Sequence, residues 1–221
     1  MNEAITSSEK AYRILLEAIL ENRLEKGEFI AQRKLAALTD TSIVSVREAL
    51  KRLEHENLVE NIPKWGVRIP IETRERLIEL YAVREALEVM AAYLLAQQID
   101  KRDAELLWET AEYCDLKSTG DASDLEEFSK AHRSLHLLLA DSTKNKLLKN
   151  ELERLRVRSL IFQSKKADWH KDLENPEWWH RHLIEEILSG DVNRAQEAMH
   201  IHVQHGLQYD LKLFDEERSG G

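Results

Sequence analysis

The stretch VREALKRLEHENLVE, Val46 to Glu60, decides the fold. Its apolar residues Val46, Leu50 and Leu53 recur at helical spacing, with Arg47, Lys51 and Arg52 on other faces. The pattern then changes period. LVENI (58–62) and VRI (67–69) read as two short strands joined by a turn at Pro63-Lys64-Trp65-Gly66. Upstream, Ala11, Ile14, Leu15, Ala18 and Ile19 predict a helix over 8–24, with Ser7 or Ser8 as its N-cap. A shorter helix fits 31–38, and the helix of the quoted stretch spans 43–56. Three helices followed by a β-hairpin is the order of a winged helix-turn-helix.

Downstream of Pro70 the alternation typical of strands disappears. Apolar residues recur at helical spacing over 73–98, 101–118, 121–142, 145–168, 177–189 and 191–215. Breaks fall at Gly120, Asn175-Pro176 and Gly190-Asp191, where helix stop and start signals sit. The expected fold class is mainly α. A winged helix-turn-helix domain covers 1–71, an all-α antiparallel bundle of about six helices covers 72–216, and 217–221 form a flexible tail.

Composition narrows the function classes. Of 221 residues, 43% are hydrophobic and only 7 are Gly and 3 Pro, so the chain can bury a core and is not disordered throughout. No apolar run approaches the roughly 18 residues of a membrane span. The start, MNEAITSSEK, lacks the basic-then-apolar order of a secretory signal. The lone Cys114 cannot make an internal disulfide and reads as a small buried hydrophobe. These features fit a cytoplasmic protein.

The net charge of -9 argues at first against a nucleic-acid binder. Its distribution says otherwise. Residues 1–70 carry 11 basic and 11 acidic side chains, so the whole deficit lies beyond them. Eight of the nine histidines lie at or beyond position 132. Two parts with different work are implied.

In a helix-turn-helix the second helix of the motif enters the major groove, and its first residues meet bases and phosphates. That helix begins near Ser42 and carries Val44, Ser45, Arg47 and Lys51 on its early turns. Arg33 lies on the preceding helix, and Lys64-Trp65-Gly66 on the hairpin tip. Arg33, Arg47 and Lys64 can neutralise phosphates, and Ser42 or Ser45 can bond phosphate or base. Spacing alone leaves open a small helical domain with scattered surface cations.

The histidines form a second constellation. His132 and His136, four apart, project from one helical face. If the last two helices pack antiparallel about Gly190-Asp191, His180 and His202 come level. Four converging imidazoles suit Zn²⁺ foremost, with Ni²⁺ or another divalent transition metal also possible. The same pattern is compatible with a partly buried polar pair and chance alignment, since His170, His182, His200 and His205 are also present.

The segment ILENRLEKGEFIAQRKLAALTDTSIVSVREALKRLEHENLVENIPKWGVRIP resembles the N-terminal domain of GntR-family bacterial transcription regulators. Val46 to Glu60 matches that family's recognition helix and first wing strand. Leu24 and Gly27 match its pre-helix turn, and Leu35-Ala36 its second helix. The resemblance implies operator contacts from Arg33, Ser42, Ile43, Val44, Ser45, Arg47 and Gly66, to which Lys64 at the hairpin tip is added. Where the family has Ser-Arg-Thr-Pro-Val-Arg, this chain has Ser42-Ile43-Val44-Ser45-Val46-Arg47, and the usual second-helix Glu is Gln32. Ile43 cannot bond guanine; it can touch a thymine methyl or pack. The operator therefore differs from the family's common one.

Residues 76–215 resemble the FCD ligand-binding domain of the FadR subgroup. Leu80 to Ala96 matches its opening helix, His132 to Leu148 its Asp-x-x-Phe-His region, and His180 to His202 its closing helix pair. The resemblance implies metal ligands at His136, His180 and His202, with His132 at the family's Asp position and Leu135 at its Phe. His182 and His200 are second choices by register. Four neutral ligands leave a divalent charge uncompensated, so either an anionic effector such as a small carboxylate supplies the missing charge, the favoured reading, or the metal is weak or absent. Arg84 on the opening helix could meet that carboxylate, or instead pair with Glu85, Glu88 or a neighbouring helix. Trp178-Trp179 could shield a cavity, whereas Arg154, Arg156 and Arg158 alternate and cannot all face one pocket.

The expected function is thus a homodimeric regulator, a repressor foremost, binding a pseudo-palindromic double-stranded operator under control of a small organic acid. A metal-dependent helical enzyme is the rival class, but no general-base motif such as His-Glu-x-x-His accompanies the histidines. A metal-free interaction bundle with a degenerate winged helix is the third. Restoring the missing cation with Ile43→Arg is expected to tighten DNA binding and steepen its salt dependence, read by anisotropy titrations across a salt series. Unchanged affinity and slope contradict this placement.

Overall fold

The structure is a computed structural model that describes residues 5–21, 23–71, 73–118, 124–159 and 179–219. It divides between Thr73 and Arg74 into two compact units.

The first unit holds α1 (Ser7–Leu20), α2 (Gln32–Thr39), α3 (Ile43–His55), β1 (Glu60–Ile62) and β2 (Gly66–Arg68). The cap of α1 is Thr6, whose side chain accepts from the Glu9 N–H, not the expected Ser7 or Ser8. Helix α2 ends on Asp40 in the left-handed conformation (φ 49°), and the chain re-enters a helix two residues later. That second entry is capped by Ser42, whose Oγ accepts from the Ser45 N–H at 3.1 Å. The core joins Ala11, Leu15 and Ile19 of α1 to Leu35 of α2 and Val46, Leu50 and Leu53 of α3.

The wing is slightly more than a hairpin. Strands β1 and β2 pair antiparallel, Asn61 opposite Val67. On the free edge of β2, Ile30 exchanges backbone hydrogen bonds with Val67 (2.7 and 3.2 Å), and the Gly27 N–H donates to the Ile69 carbonyl at 2.8 Å. The segment between α1 and α2 therefore closes the sheet edge. Gly66 is forced by this closure: its φ is +109°, and a Cβ there would lie 2.8 Å from the Ile30 carbonyl oxygen.

Among the described residues the second unit is all helical: α4 (Arg74–Gln97), α5 (Lys101–Ser118), α6 (Asp124–Ser142), α7 (Lys146–Ser159), α8 (His180–Leu188) and α9 (Val192–Ser219). One apolar core runs through it, from Leu77, Ala92 and Leu95 of α4 and Leu107 and Ala111 of α5 to Phe128, Leu135 and Leu139 of α6, Ile184 and Ile187 of α8, and Met199 and Val203 of α9. Helix α7 seals α4 and α6 separately, through Leu148 and Leu152 against Ala91 and Ala140. Gly190, at φ +77°, makes the turn that folds α9 back on α8.

The sequence placed a flexible tail from residue 217, but α9 continues through Ser219, so 217–219 are helical. The residues from 217 to Ser219 carry no helix-ending signal. The expected breaks at Gly120 and Asn175-Pro176, and the end of the helix read over 145–168, lie outside the described residues.

Candidate metal centre and nucleic-acid interface

The buried stripe of α6 carries His136 one turn after His132. Their Nε2 atoms lie 2.9 Å apart. From α9, His202 brings its Nε2 to 3.2 Å from that of His136. Ring nitrogens of the three histidines all lie within 4.8 Å of one another. His180, the first residue of α8, stands beside this group of three, with its ring centroid 5.0 Å from those of both His132 and His202. The antiparallel turn at Gly190 makes His180 and His202 level. His136, His180 and His202 are buried; His132 is half-buried and stacks on Phe128 at 5.5 Å.

Two carboxylates hold the imidazoles from behind. Glu88 of α4 sets Oε2 at 2.7 Å from His136 Nδ1, and Asp115 of α5 sets Oδ1 at 2.9 Å from His180 Nδ1. At His180 the contact is a hydrogen bond, which places the proton on Nδ1 and leaves Nε2 as a lone pair facing the cluster; at His136 the Glu88 carboxylate lies at ion-pair distance. The buried Nε2 of His180 has no hydrogen-bond partner among the described residues. Burial first, then the neighbouring His180 and His136, hold the His202 imidazolium well below its ordinary range, so that ring is neutral.

The donor set fits a transition metal. With metal–nitrogen bonds of about 2.0–2.1 Å, two ligands of one ion sit roughly 2.9–3.4 Å apart in octahedral or tetrahedral geometry, and the two Nε2 separations, 2.9 and 3.2 Å, fall within that range. Neutral imidazoles suit Zn²⁺, Ni²⁺ or Cu²⁺ better than hard cations.

Glu88 and Asp115 were missed from sequence. Each nevertheless carries a signal: an acid inside an otherwise buried helical stripe, Glu88 between Leu80 and Leu95, Asp115 between Leu107 and Ser118. Asp115 has a second task. It accepts the backbone N–H of His180 (3.0 Å) and Arg181 (3.1 Å), the first donors of α8, whose own N-cap Trp179 has no side-chain cap. Burial pushes the Asp115 carboxyl up, yet bonds from His180 and these N–H groups hold it below its ordinary range.

Arg84 is buried against Glu88, Nε to Oε1 at 2.8 Å, and lies over the Tyr81 ring. Of the sequence alternatives for Arg84, the Glu88 pairing is the one that forms. Arg181 likewise bonds Asp115 at 3.0 Å. His200 is exposed and pairs with Glu85 at 2.7 Å, away from the cluster, and His182 is half-buried. Arg154 is exposed and pairs with Glu151; Trp178 lies outside the described residues, and the side chains of Arg156 and Arg158 are likewise undescribed. A cavity of about 500 Å³ lies between α5 and α8, with Tyr113, Asp115, Trp179 and Arg181 among its lining.

In the first unit, ion pairing separates the cations into two sets. Lys10, Arg13, Arg23, Lys51, Arg52 and Arg68 all sit within ion-pair distance of carboxylates. Arg33, Lys34, Arg47 and Lys64 are exposed and have no carboxylate partner among the described residues. Three of these are the cations expected at DNA; Lys34, beside Arg33, was missed because its sequence carries no motif. Ser42 and Ser45, by contrast, are bonded to each other, Oγ to Oγ at 2.9 Å, at the start of α3. Ile43 and Val44 between them are exposed. At the wing tip Trp65 is 69% exposed and rests on Phe29 at 5.6 Å.

A helix-turn-helix with a wing, followed by a helical bundle with converging histidines, has counterparts among known proteins. Residues 7–69 match the model of bacterial regulatory proteins of the gntR family, and residues 79–205 that of the FCD domain. The chain belongs to the GntR family. Its second unit is an FCD domain, and it is a DNA-binding transcription regulator rather than an enzyme. It is similar to YdhC, an uncharacterised HTH-type transcriptional regulator of Bacillus subtilis (strain 168), at 26% identity over 93% of this chain and 91% of the relative. It is also similar to the HTH-type transcriptional repressor GlaR of Escherichia coli (strain K12), at 26% identity over 87% and 90%. The solved structure of E. coli McbR/YncC shares the fold, with a TM-score of 0.66, 21% identity and coverage of 96% and 100%. Among the described residues no helix is long and apolar enough to cross a membrane.

Removing Asp115 uncaps α8 and strands the His180 imidazole. Asp115→Ala is expected to cost roughly 2–4 kcal/mol in chemical unfolding of the metal-free chain. Because its folded pKa is depressed, the Asp115 contribution is present above the ordinary Asp value of about 3.9 and lost as pH falls below it. The variant should lose that part of the wild-type pH dependence.

Proposed function

We propose that the chain is a repressor that binds a pseudo-palindromic double-stranded operator as a homodimer, and that a small organic acid, bound beside a divalent metal in the FCD domain, controls its operator affinity. The observation that carries the DNA half is the unpaired cation set Arg33, Lys34, Arg47 and Lys64 on the helix-turn-helix and wing. Exposed cations left without carboxylates are free to displace counterions from phosphates, whatever the net charge of the chain. Two copies of one recognition helix read two half-sites, hence the two-fold operator. Repression is supported by relatives described as repressors, GlaR and a D-xylose utilisation operon repressor of Paenarthrobacter nicotinovorans.

The control half rests on charge balance. His132, His136, His180 and His202 would hold the ion, Zn²⁺ foremost and Ni²⁺ next, as a Lewis acid. Glu88 is neutralised by Arg84, and Asp115 by Arg181. Neither carboxylate therefore offsets a divalent charge, and an acidic ligand does so favourably. Such a ligand lowers operator affinity if it prefers the conformation that does not fit DNA.

Two measurements test the reading. A duplex selected by the full chain from a random pool should show symmetric half-sites. On it, Lys34→Ala and Arg47→Ala should each flatten the log Kd against log salt slope by about 0.9 per contact, roughly 1.8 per dimer. Arg13→Ala, whose cation already pairs with Glu9, should leave the slope unchanged. Equal slopes for all three variants overturn the interface. Elemental mass spectrometry of untagged protein should find about one transition metal per chain, none in His136→Ala, and a 10- to 100-fold (order of magnitude) weaker hold in Glu88→Gln. A wild-type chain still empty after incubation with Zn²⁺ and Ni²⁺ overturns the metal centre.

A further inference from the structure

The polar side chains at the start of α3 are engaged with each other. Ser42 Oγ accepts from the Ser45 N–H as the helix cap and also bonds the Ser45 hydroxyl. Between them stand Ile43, 39% exposed, and Val44, 68% exposed. The buried stripe of α3 is Val46, Ala49, Leu50 and Leu53. At 100° per residue Val44 lies opposite that stripe, in line with Arg47, Glu48, Lys51 and His55. A β-branched apolar residue thus occupies the centre of a face otherwise made of charged and polar groups. That face is the one a recognition helix turns to the major groove, and its first turn is the part that meets base edges.

We infer that Val44, flanked by Ile43, reads a thymine through its 5-methyl group, so that each operator half-site carries a thymine beneath the first turn of α3. The inference rests on the operator-binding reading of the first unit and deepens it. Thymine alone presents a methyl group in the major groove. Val44 against that methyl removes apolar surface of both partners from water. Against guanine, adenine or cytosine the same side chain covers O6, N7 or an exocyclic amine without replacing its water hydrogen bonds. Val44 therefore favours one base and penalises three, selecting by exclusion as well as by contact. Arg47, one turn on along the same face and unpaired among the described residues, supplies the anchoring charge.

The test uses the duplex selected by the full chain from a random pool, with each half-site thymine replaced in turn by deoxyuridine, which deletes only the methyl. Burying one methyl is worth about 4-fold in affinity per half-site, roughly 15-fold when both are changed. One thymine position should show this loss with the wild-type chain. With Val44→Ser, which keeps the fold because the side chain is exposed, the loss at that position should vanish; circular dichroism checks the fold. No deoxyuridine-sensitive position, or the same penalty in Val44→Ser, overturns the inference while leaving operator binding intact. A pool that enriches no sequence overturns the operator-binding reading itself, and this inference with it.

Discussion

Four imidazoles and two carboxylates gathered inside a helical bundle are costly unless every lone pair and proton is accounted for. The second unit meets part of that condition within the described residues: Asp115 holds His180 Nδ1, and the buried Nε2 of the same ring is left without a hydrogen-bond partner. His132 and His136 come from α6, His180 from α8, His202 from α9, Glu88 from α4 and Asp115 from α5. Five of the six helices described in this unit thus meet at one polar point inside an apolar core. Asp115 shows how closely the requirement is coupled to folding, since the same carboxylate caps α8 and orients its first side chain. Its neutralisation by Arg181, and that of Glu88 by Arg84, keep the surroundings of the cluster electrically balanced. A divalent ion held there would stand as a large uncompensated charge, which is why the proposed metal and the proposed acidic ligand go together.

The first unit obeys a different constraint, that of local charge. Its totals are balanced, yet pairing within the unit engages Arg13, Arg52 and Arg68 and leaves Arg33, Lys34, Arg47 and Lys64 without carboxylates among the described residues. Net charge would have discarded this chain as a DNA binder, because a sum over all side chains does not record which of them are already paired. Gly66 shows structure and recognition converging on one position. The resemblance assigns it a DNA contact, and the closure of the wing against Ile30 requires it sterically.

Much of this was legible in the order of residues. Periodicity located the three helices and hairpin of the first unit and the run of helices after it, because burial imposes spacings of 3.6 and 2 directly on the sequence. Exact ends were less legible. Thr6 rather than Ser7 or Ser8 caps α1, because three adjacent hydroxyl residues offer equivalent acceptors and only the chain direction selects among them. Helix α9 runs on through Ser219 into the tail expected from residue 217, because the residues there carry no signal that ends a helix.

The sequence by itself determined the fold class, the two-part organisation, and which histidines share a helical face, since each depends on spacing along one element. Only the tertiary structure decided that Glu88 and Asp115 stand behind His136 and His180, that Arg84 pairs with Glu88 rather than Glu85, and which cations stay unpaired. Asp115 and His180 are 65 residues apart. Nothing local in the chain relates them; they meet because α5 and α8 bury their apolar stripes in one core, and a hydrogen bond across that distance in sequence is a consequence of packing.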